Sequence, residues 1–194
     1  EFYLGLGACA RRYGVGIVGG DITQAPQGFF GAFLTLHGEA TSRRIVSRTG
    51  ARHGDRIYVT GTLGGSRLGH HYQFCPRLAE GAWLAHRPEV RAMMDVSDGL
   101  AKDLVDLTPA GLAPALDPAA IPISAAARRL AHQSRRSPLA HALGDGEDYE
   151  LLFAVRTQFE KFEADWRRRF PRLRLSFIGR FVSQDRTPAG AIRL

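Results

Sequence analysis

The chain has 194 residues, 44% of them hydrophobic, and a formal net charge of +7. This length is enough for one large domain or a domain and a half, and the apolar content excludes a disordered or fibrous chain. No apolar run approaches the roughly 20 residues that a membrane span requires. We therefore expect a soluble cytoplasmic protein.

The cysteines and arginines bear on two further classes of protein, the disulfide or zinc proteins and the nucleic-acid-binding proteins. Cys9 and Cys75 are too few and too far apart for a disulfide framework or a zinc cluster, and we expect both to be buried thiols. Almost all the positive charge is arginine, whose planar fork suits phosphate, so nucleic acid must be considered as a partner. The arginines are scattered without an aromatic stacking motif, which favours solvated helix faces over a nucleic-acid surface.

The first elements are a helix and a short strand that ends in an acidic glycine turn. Apolar positions predict a helix over residues 1–13, and Gly14 is a suitable stop. Residues 15–18 predict a strand that runs into a Gly-Gly-Asp turn containing Gly20 and Asp21. Such a turn brings bare backbone and a carboxylate to a ligand, or is simply tight.

A change of composition then predicts a domain boundary. Residues 29–37 are apolar and predict a strand that is covered on both faces or paired with a partner chain. The polar stretch that follows places the boundary near residue 42. Arg48 is the one arginine in that stretch whose setting suggests a phosphate contact, although a surface role is the simpler interpretation.

Next come a strand and a glycine-rich turn. Residues 56–60 predict the strand, and residues 61–66, called here the glycine-rich turn, lead into a helix that ends near Phe74. The turn resembles a phosphate cradle but lacks the Gly-Lys-Ser/Thr ending of a P-loop, which favours a structural role. A second helix is predicted over residues 76–85, with a proline at its start.

The centre of the sequence is MMDVSDGL, residues 93–100, which predicts a strand, an acidic turn and a helix that ends near Leu107. Residues 95–99 are called here the acidic turn. One interpretation is that Ser97 or Asp98 caps the helix. The other is a site for a divalent metal, because Asp95 and Asp98 offer two hard oxygen ligands on one turn.

A second acidic segment, residues 144–150, is called here the acidic loop. Its four carboxylates in six residues repel one another unless a cation or a donor-rich ligand compensates, although a solvated loop is also possible. A buried strand follows at once. The remaining predicted elements are a strand over residues 112–116, a helix over 124–134 capped by Ser124, surface or loop positions for His132 and His141, a helix over 157–170 capped by Thr157, and a strand over 173–182.

The motifs together resemble the thiamine-monophosphate kinase family, in the superfamily of aminoimidazole ribonucleotide synthetase. The resemblance covers nearly the whole chain, in the family's order. It is carried by Gly19-Gly20-Asp21, Arg48 within the block 48–64, Asp95-x-Ser97-Asp98-Gly99, and residues 144–153.

The resemblance implies an α+β fold with a mixed or antiparallel sheet packed by helices. Residues 1–42 would end an N-terminal nucleotide-binding domain, and residues 43–194 would form a C-terminal α/β domain of the aminoimidazole ribonucleotide synthetase type. It also implies a homodimer joined through the N-terminal half, with residues 30–36 in the interface.

The implied activity is Mg²⁺-dependent phosphoryl transfer from ATP to thiamine phosphate. Asp21, Asp95 and Asp98 would be metal ligands, with Asp21 and Asp98 as the catalytic residues. The nucleotide would contact Gly20, Asp21, Arg48 and Ser97, and the thiamine end of the substrate would contact Glu147 or Asp148. No nucleic-acid or membrane partner is implied.

The sequence also departs from the family pattern. A Gly-Asp-Asp-Ala segment and an aromatic tail are not found, so we expect a fragment that is inactive alone, and Asp145 adds an acidic residue beside the usual glycine pair. Three alternatives stay open: another ATP-using member of the superfamily (aminoimidazole ribonucleotide synthetase, selenophosphate synthetase or the hydrogenase-maturation type), a basic nucleic-acid-binding module, and a truncated scaffold.

Overall fold

The structure, a computed structural model, describes residues 1–40, 44–156 and 161–184. The chain separates into two compact units, Glu1–Gly38 and Glu39–Leu194. The boundary predicted near residue 42 lies outside the described residues.

The first unit consists of one helix followed by chain without regular structure. Helix α1 covers Phe2–Tyr13 and ends at Gly14, whose left-handed conformation lets its N–H reach the last carbonyls, so the predicted helix is confirmed. The strands predicted at 15–18 and 29–37 are wrong, because neither segment forms a ladder within the described residues. A strand needs a hydrogen-bonding neighbour as well as apolar side chains, and here those side chains are exposed.

The second unit is built on a five-stranded antiparallel sheet in the order β2-β4-β1-β5-β3. The strands are β1 (Arg56–Thr60), β2 (Val90–Asp95), β3 (Leu112–Leu116), β4 (Leu151–Val155) and β5 (Leu175–Ser183). The predicted α+β class and every strand predicted in this unit are confirmed.

Helices cover both faces of the sheet. Successive side chains of a strand point to opposite faces, so Ile57 joins one apolar cluster with Leu104, and Tyr58 joins another with Trp166. The helices are α2 (His70–Gln73), α3 (Leu78–Ala85), α4 (Leu100–Leu107), α5 (Ala125–Gln133), α6 (Pro138–Gly144) and α7 (Phe162–Arg169). Both sides of the sheet are therefore core.

The helices match the predictions except at turns that the sequence pattern did not reveal. Ser124 caps α5 by accepting a hydrogen bond from the N–H of Ala127, as predicted. The helix predicted after the glycine-rich turn is split at Gly69, with φ +124°, into a 3-10 turn (Ser66–Leu68) and α2. Helix α6 was not predicted. The predicted start of the last helix, Thr157, lies outside the described residues.

Three side-chain predictions need correction. Cys9 and Cys75 are exposed rather than buried. His141 is 3% exposed rather than at the surface, because α6 packs it beneath the acidic loop, where Asp145 and Ser134 bind both ring nitrogens. None of the described helices is both long and apolar enough to cross a membrane.

Candidate functional site

The acidic turn is held from beneath by a carboxylate of the helix that follows it. Asp103 of α4 is 2% exposed, and its Oδ2 accepts hydrogen bonds from the backbone N–H groups of Ser97, Asp98 and Gly99 at 3.0, 3.1 and 3.1 Å. Burial raises the pKa of Asp103, against the lowering effect of these donors. The predicted cap by Ser97 or Asp98 is wrong, because the residue at the N-cap of α4 is Gly99, which has no side chain.

The acidic loop lies directly against the acidic turn. The N–H of Glu147 donates to the carbonyl of Ser97 at 2.7 Å, and the N–H of Tyr149 donates to Val96 at 2.8 Å. In return the N–H of Val96 donates to Glu150 at 2.8 Å. Two segments about fifty residues apart in sequence thus form one hydrogen-bonded unit at the end of β2 and the start of β4.

This contact requires a glycine and two unusual backbone conformations. A Cβ on Gly146, at φ +69°, would lie 2.8 Å from the carbonyl oxygen of Ser97. Glu147 and Tyr149 have φ of 53° and 50°, a left-handed conformation that non-glycine residues adopt at an energetic cost. Such strain is found at functional sites, where the surrounding contacts hold it in place.

The glycine-rich turn binds the other side of the acidic loop. The N–H of Gly64 donates to both carboxylate oxygens of Asp148, at 2.9 and 3.0 Å, and the N–H of Gly65 donates to Asp145 at 2.9 Å. The amides that a phosphate would need are therefore occupied by carboxylates of the same chain. This geometry supports the structural interpretation of the turn over the phosphate cradle.

A buried ion pair fixes the end of the acidic loop. Arg77 binds Glu150 with two hydrogen bonds of 2.8 and 2.5 Å, and Thr60 donates to the same carboxylate at 2.6 Å. The hydrogen bonds that Arg77 donates to Glu150 raise the pKa of Arg77, against the effect of burial. A Cβ on Gly61 would collide with Glu150, so this position of the glycine-rich turn leaves room for the carboxylate.

Asp148 is the most perturbed acid of the site. Burial raises its pKa to about 7, and the nearby charges of Asp145 and Glu150 act in the same direction, whereas the N–H of Gly64 lowers it. Its side chain is buried and bound to the glycine-rich turn. Asp148 is therefore placed as a support of the acidic loop.

Three carboxylates of the two acidic segments remain exposed. Asp95 and Glu147 make no side-chain hydrogen bond with the described residues, and Asp98 pairs with Lys102 at 2.5 Å on the surface of α4. The pKa of Tyr149 is raised by burial and then by the charges of Glu147 and Asp95. Asp95 and Glu147 thus act on one phenol from two different segments.

The other predicted site residues lie elsewhere in the chain. Arg48 is exposed and, among the described residues, makes a loose ion pair of 3.7 Å with Asp106 of α4. Gly20 and Asp21 belong to the first unit, where Gly20 has open space beside it and Asp21 accepts a hydrogen bond from the N–H of Ile22.

The donor set of the acidic turn fits magnesium. Within the described ranges, no group of three or more His, Cys, Asp or Glu side chains could hold a metal ion. Mg²⁺ does not need such a cage, because it is often bound by one or two carboxylates together with water and substrate phosphates. Asp95 and Asp98 offer two exposed carboxylates on one turn.

Two residues that support the site were not predicted from the sequence. Asp103 and Arg77 are charged residues without a motif of their own, and only the folded chain brings them to their partners. One signal was present for Asp103, because its position in the first turn of a helix places it within reach of the preceding backbone N–H groups.

Solved structures define the class of protein. The chain aligns with hydrogenase maturation protein HypE in complex with ATP at a TM-score of 0.70 and 20% identity, covering 96% of this chain and 62% of that one. It aligns with thiamine-monophosphate kinase from Stenotrophomonas maltophilia at 0.60 and 29%, covering 71% and 50%. The fold is therefore of the aminoimidazole ribonucleotide synthetase type.

Two curated sequence relatives are thiamine-monophosphate kinases. The thiamine-monophosphate kinase of Rhodopirellula baltica is 41% identical over 156 residues, which are 80% of this chain and 48% of the relative. That of Salmonella typhimurium is 35% identical over 172 residues, covering 77% and 51%. The chain is similar to thiamine-monophosphate kinases over most of its own length, and it spans about half the length of the curated relatives it matches.

The solved structure of AaThiL complexed with AMPPCP and TMP is 29% identical, with a TM-score of 0.50, and the match covers 73% of this chain and 49% of that one. No family model matches the chain.

Proposed function

We propose that the protein containing this chain transfers a phosphoryl group from ATP to thiamine phosphate, giving thiamine diphosphate, with Mg²⁺ and in the cytoplasm. The observation that carries the proposal is the exposed pair Asp95 and Asp98 on a turn that is rigidly joined to a second acidic segment. The family supports the substrate, since the relatives are named for this kinase and AaThiL binds AMPPCP and TMP.

The site residues divide into two roles under this proposal. Asp21, Asp95 and Asp98 would hold magnesium, and Asp21 and Asp98 would be the catalytic residues. Gly20, Ser97 and Arg48 contact the nucleotide, and Arg48 is suited to it because its present partner Asp106 is loosely held.

The substrate contact is assigned to Glu147 rather than Asp148. Glu147 is exposed and free of side-chain hydrogen bonds within the described part of the chain, so its charge is available to the cationic thiazolium or the aminopyrimidine of thiamine. Asp148 is 2% exposed and bound to Gly64, so we propose that it positions Glu147 from beneath.

Phosphoryl transfer makes few covalent demands on the protein. Donor and acceptor must be held in line and the charge on the phosphates neutralised. Magnesium, held by Asp95 and Asp98, would supply that neutralisation. The chain itself contributes rigidity: Asp103 fixes the acidic turn, and the backbone bonds from Glu147 and Tyr149 fix the acidic loop against it.

Calorimetric titration with ATP, in the presence and absence of Mg²⁺, tests the metal and nucleotide roles. We expect binding that requires Mg²⁺ and weakens at least tenfold in Asp95→Asn and Asp98→Asn. Arg168→Ala is the matched control, because Arg168 is an exposed cation on α7 that pairs only with Asp165 among the described residues. Binding that is independent of Mg²⁺, or that falls only in Arg168→Ala, contradicts the proposal and supports a basic polyanion-binding module.

The substrate assignment needs a separate assay. Phosphorylation of thiamine phosphate is measured with the protein in its native length, established by mass measurement. Glu147→Gln is expected to raise KM for thiamine phosphate about tenfold with little change in KM for ATP. A protein that consumes ATP with another acceptor and ignores thiamine phosphate belongs to another branch of the superfamily.

A further inference from the structure

Beneath the acidic loop, a serine, a histidine and an aspartate form one hydrogen-bonded chain that the proposed function does not use. Ser134 ends α5, His141 lies within α6, and Asp145 follows α6. The Oγ of Ser134 is 2.7 Å from Nε2 of His141, and Nδ1 of His141 is 2.9 Å from both carboxylate oxygens of Asp145. These are the contacts of an activated serine.

The surroundings of Asp145 determine which nitrogen of His141 carries the proton. Asp145 accepts hydrogen bonds from the N–H of Gly65 at 2.9 Å and from the guanidinium of Arg136 at 3.1 Å. The carboxylate accepts both of these hydrogen bonds and, as an acceptor, also receives the proton-bearing Nδ1 of His141. Nε2 is left as an acceptor for the hydroxyl of Ser134.

The three residues differ in burial, with the base more deeply buried than the serine that it would activate. The side chains of His141 and Asp145 are 3% and 4% exposed, so the base and its partner are shielded from water. Ser134 is only half-buried. Its hydroxyl oxygen accepts a hydrogen bond from the N–H of Arg136 at 3.3 Å.

We propose that Ser134 is a nucleophile activated by His141, and that it accepts an acyl group from a small activated ester. The Oγ of Ser134 forms a bond to the ester carbonyl carbon, and the bond from that carbon to the leaving oxygen breaks. The serine proton passes to Nε2 of His141 and from there to the departing alcohol. Ser134 is thereby a site of covalent acylation.

The chain contains a matched control in Ser137, three residues further on. Ser137 is exposed and lies next to the same arginines, Arg135 and Arg136. Its hydroxyl oxygen accepts a hydrogen bond from the N–H of Ala140 at 3.1 Å, as a helix cap, and no described imidazole contacts it. Ser137 is therefore more exposed than Ser134 but lacks the imidazole base.

The test is acetylation with p-nitrophenyl acetate, followed by peptide mass spectrometry to measure each serine separately. General-base assistance accelerates such steps by about 10²- to 10⁴-fold, so we expect Ser134 to react at least tenfold faster than Ser137. His141→Gln and Asp145→Asn are expected to slow Ser134 at least tenfold and to leave Ser137 unchanged.

Two results would overturn the proposal: equal rates at the two serines in the unmodified protein, or a rate at Ser134 that His141→Gln does not lower. Circular dichroism checks that the variants fold, because His141 is buried. If a variant unfolds, the ratio of the two serines in the unmodified protein still decides the question, since it needs no substitution.

Discussion

At the scale of single residues, the acidic side chains of the site fall into two groups with different tasks. Asp103 and Asp148 are buried and accept backbone N–H groups, as buried carboxylates must if their desolvation is to be offset. Asp95, Asp98 and Glu147 are exposed, and of the three only Asp98 has a described side-chain partner, Lys102. The buried group builds the site that the exposed group presents.

The raised pKa of Asp148 predicts an unusual dependence of stability on pH. With a pKa of about 7 in the folded protein and 3.8 as the ordinary value, the folded protein holds this proton more tightly than the unfolded chain does. Stability from this group is therefore greatest at low pH and is lost as the pH rises from about 4 to 7.

Asp148→Asn isolates this effect because asparagine resembles the neutral acid. Relative to this variant, the free energy of unfolding of the unmodified protein is expected to fall by up to about 1.4 kcal/mol per pH unit within that window. Above pH 7 the difference should be constant. Urea unfolding at a series of pH values measures it, and a difference that rises with pH would contradict the assignment.

Removal of the carboxylate of Asp103 should destabilise the protein. In Asp103→Ala the N–H groups of the acidic turn lose their acceptor, and we expect a loss of about 2 kcal/mol in the free energy of unfolding. Asp106→Ala, on the exposed side of the same helix, should change it by less than about 0.5 kcal/mol. Similar values for the two variants in urea unfolding would show that the hydrogen bonds of Asp103 are not needed.

At the scale of elements, three turns that the sequence separates meet at one end of the sheet. The acidic turn follows β2, the acidic loop precedes β4, and the glycine-rich turn follows β1, which are neighbouring antiparallel strands. Because β4 runs antiparallel to both β2 and β1, the last residues of β2 and β1 lie at the same end of the sheet as the first residues of β4. The topology alone therefore brings the segments together.

This convergence depends on glycine where backbones approach closely. A Cβ on Gly64, at φ +84°, would lie 2.6 Å from the backbone nitrogen of Ala142, whereas Gly111, at φ +81°, has open space beside it. Gly111→Ala should cost only the left-handed strain, about 1 kcal/mol. Gly64→Ala should cost at least 2 kcal/mol more, measured by thermal or urea unfolding. Equal costs would mean that the turn and α6 can separate freely.

At the scale of the whole molecule, the two units differ in how they treat apolar side chains. The second unit buries most of its large apolar side chains on the two faces of the sheet. The first unit leaves several of them exposed, including Val18 at 98% and Phe33 at 96%. Exposed apolar surface of this kind marks an interaction site. We propose that residues 30–36 join two copies of the protein, as the family resemblance implies.

Sedimentation of the protein and its Phe33→Asp variant tests this proposal. A charge in the interface should raise the dissociation constant of the dimer at least tenfold. Leu78→Asp serves as the control, because Leu78 is 60% exposed but lies in the second unit. A protein that is monomeric at all concentrations, or a dimer that Phe33→Asp leaves unchanged, would contradict it.

The sequence by itself determined the local elements of the second unit and the motifs of the site. Alternating and helical apolar patterns depend only on neighbours along the chain, so β1 to β5 and most helices were predicted correctly. The motif of Asp95, Ser97 and Asp98 and the acidic loop also depend only on the order of residues along the chain, and that order indicated the family resemblance.

Only the tertiary structure decided which polar side chains are exposed to a ligand and which are buried as supports of the site. The predicted strands of the first unit failed because a ladder depends on a distant partner, and His141 was misplaced because its burial depends on the packing of α6. Asp148 carries the same charge as Glu147 in the sequence. Its position over the N–H of Gly64 makes it a support, and this contact spans more than eighty residues of chain.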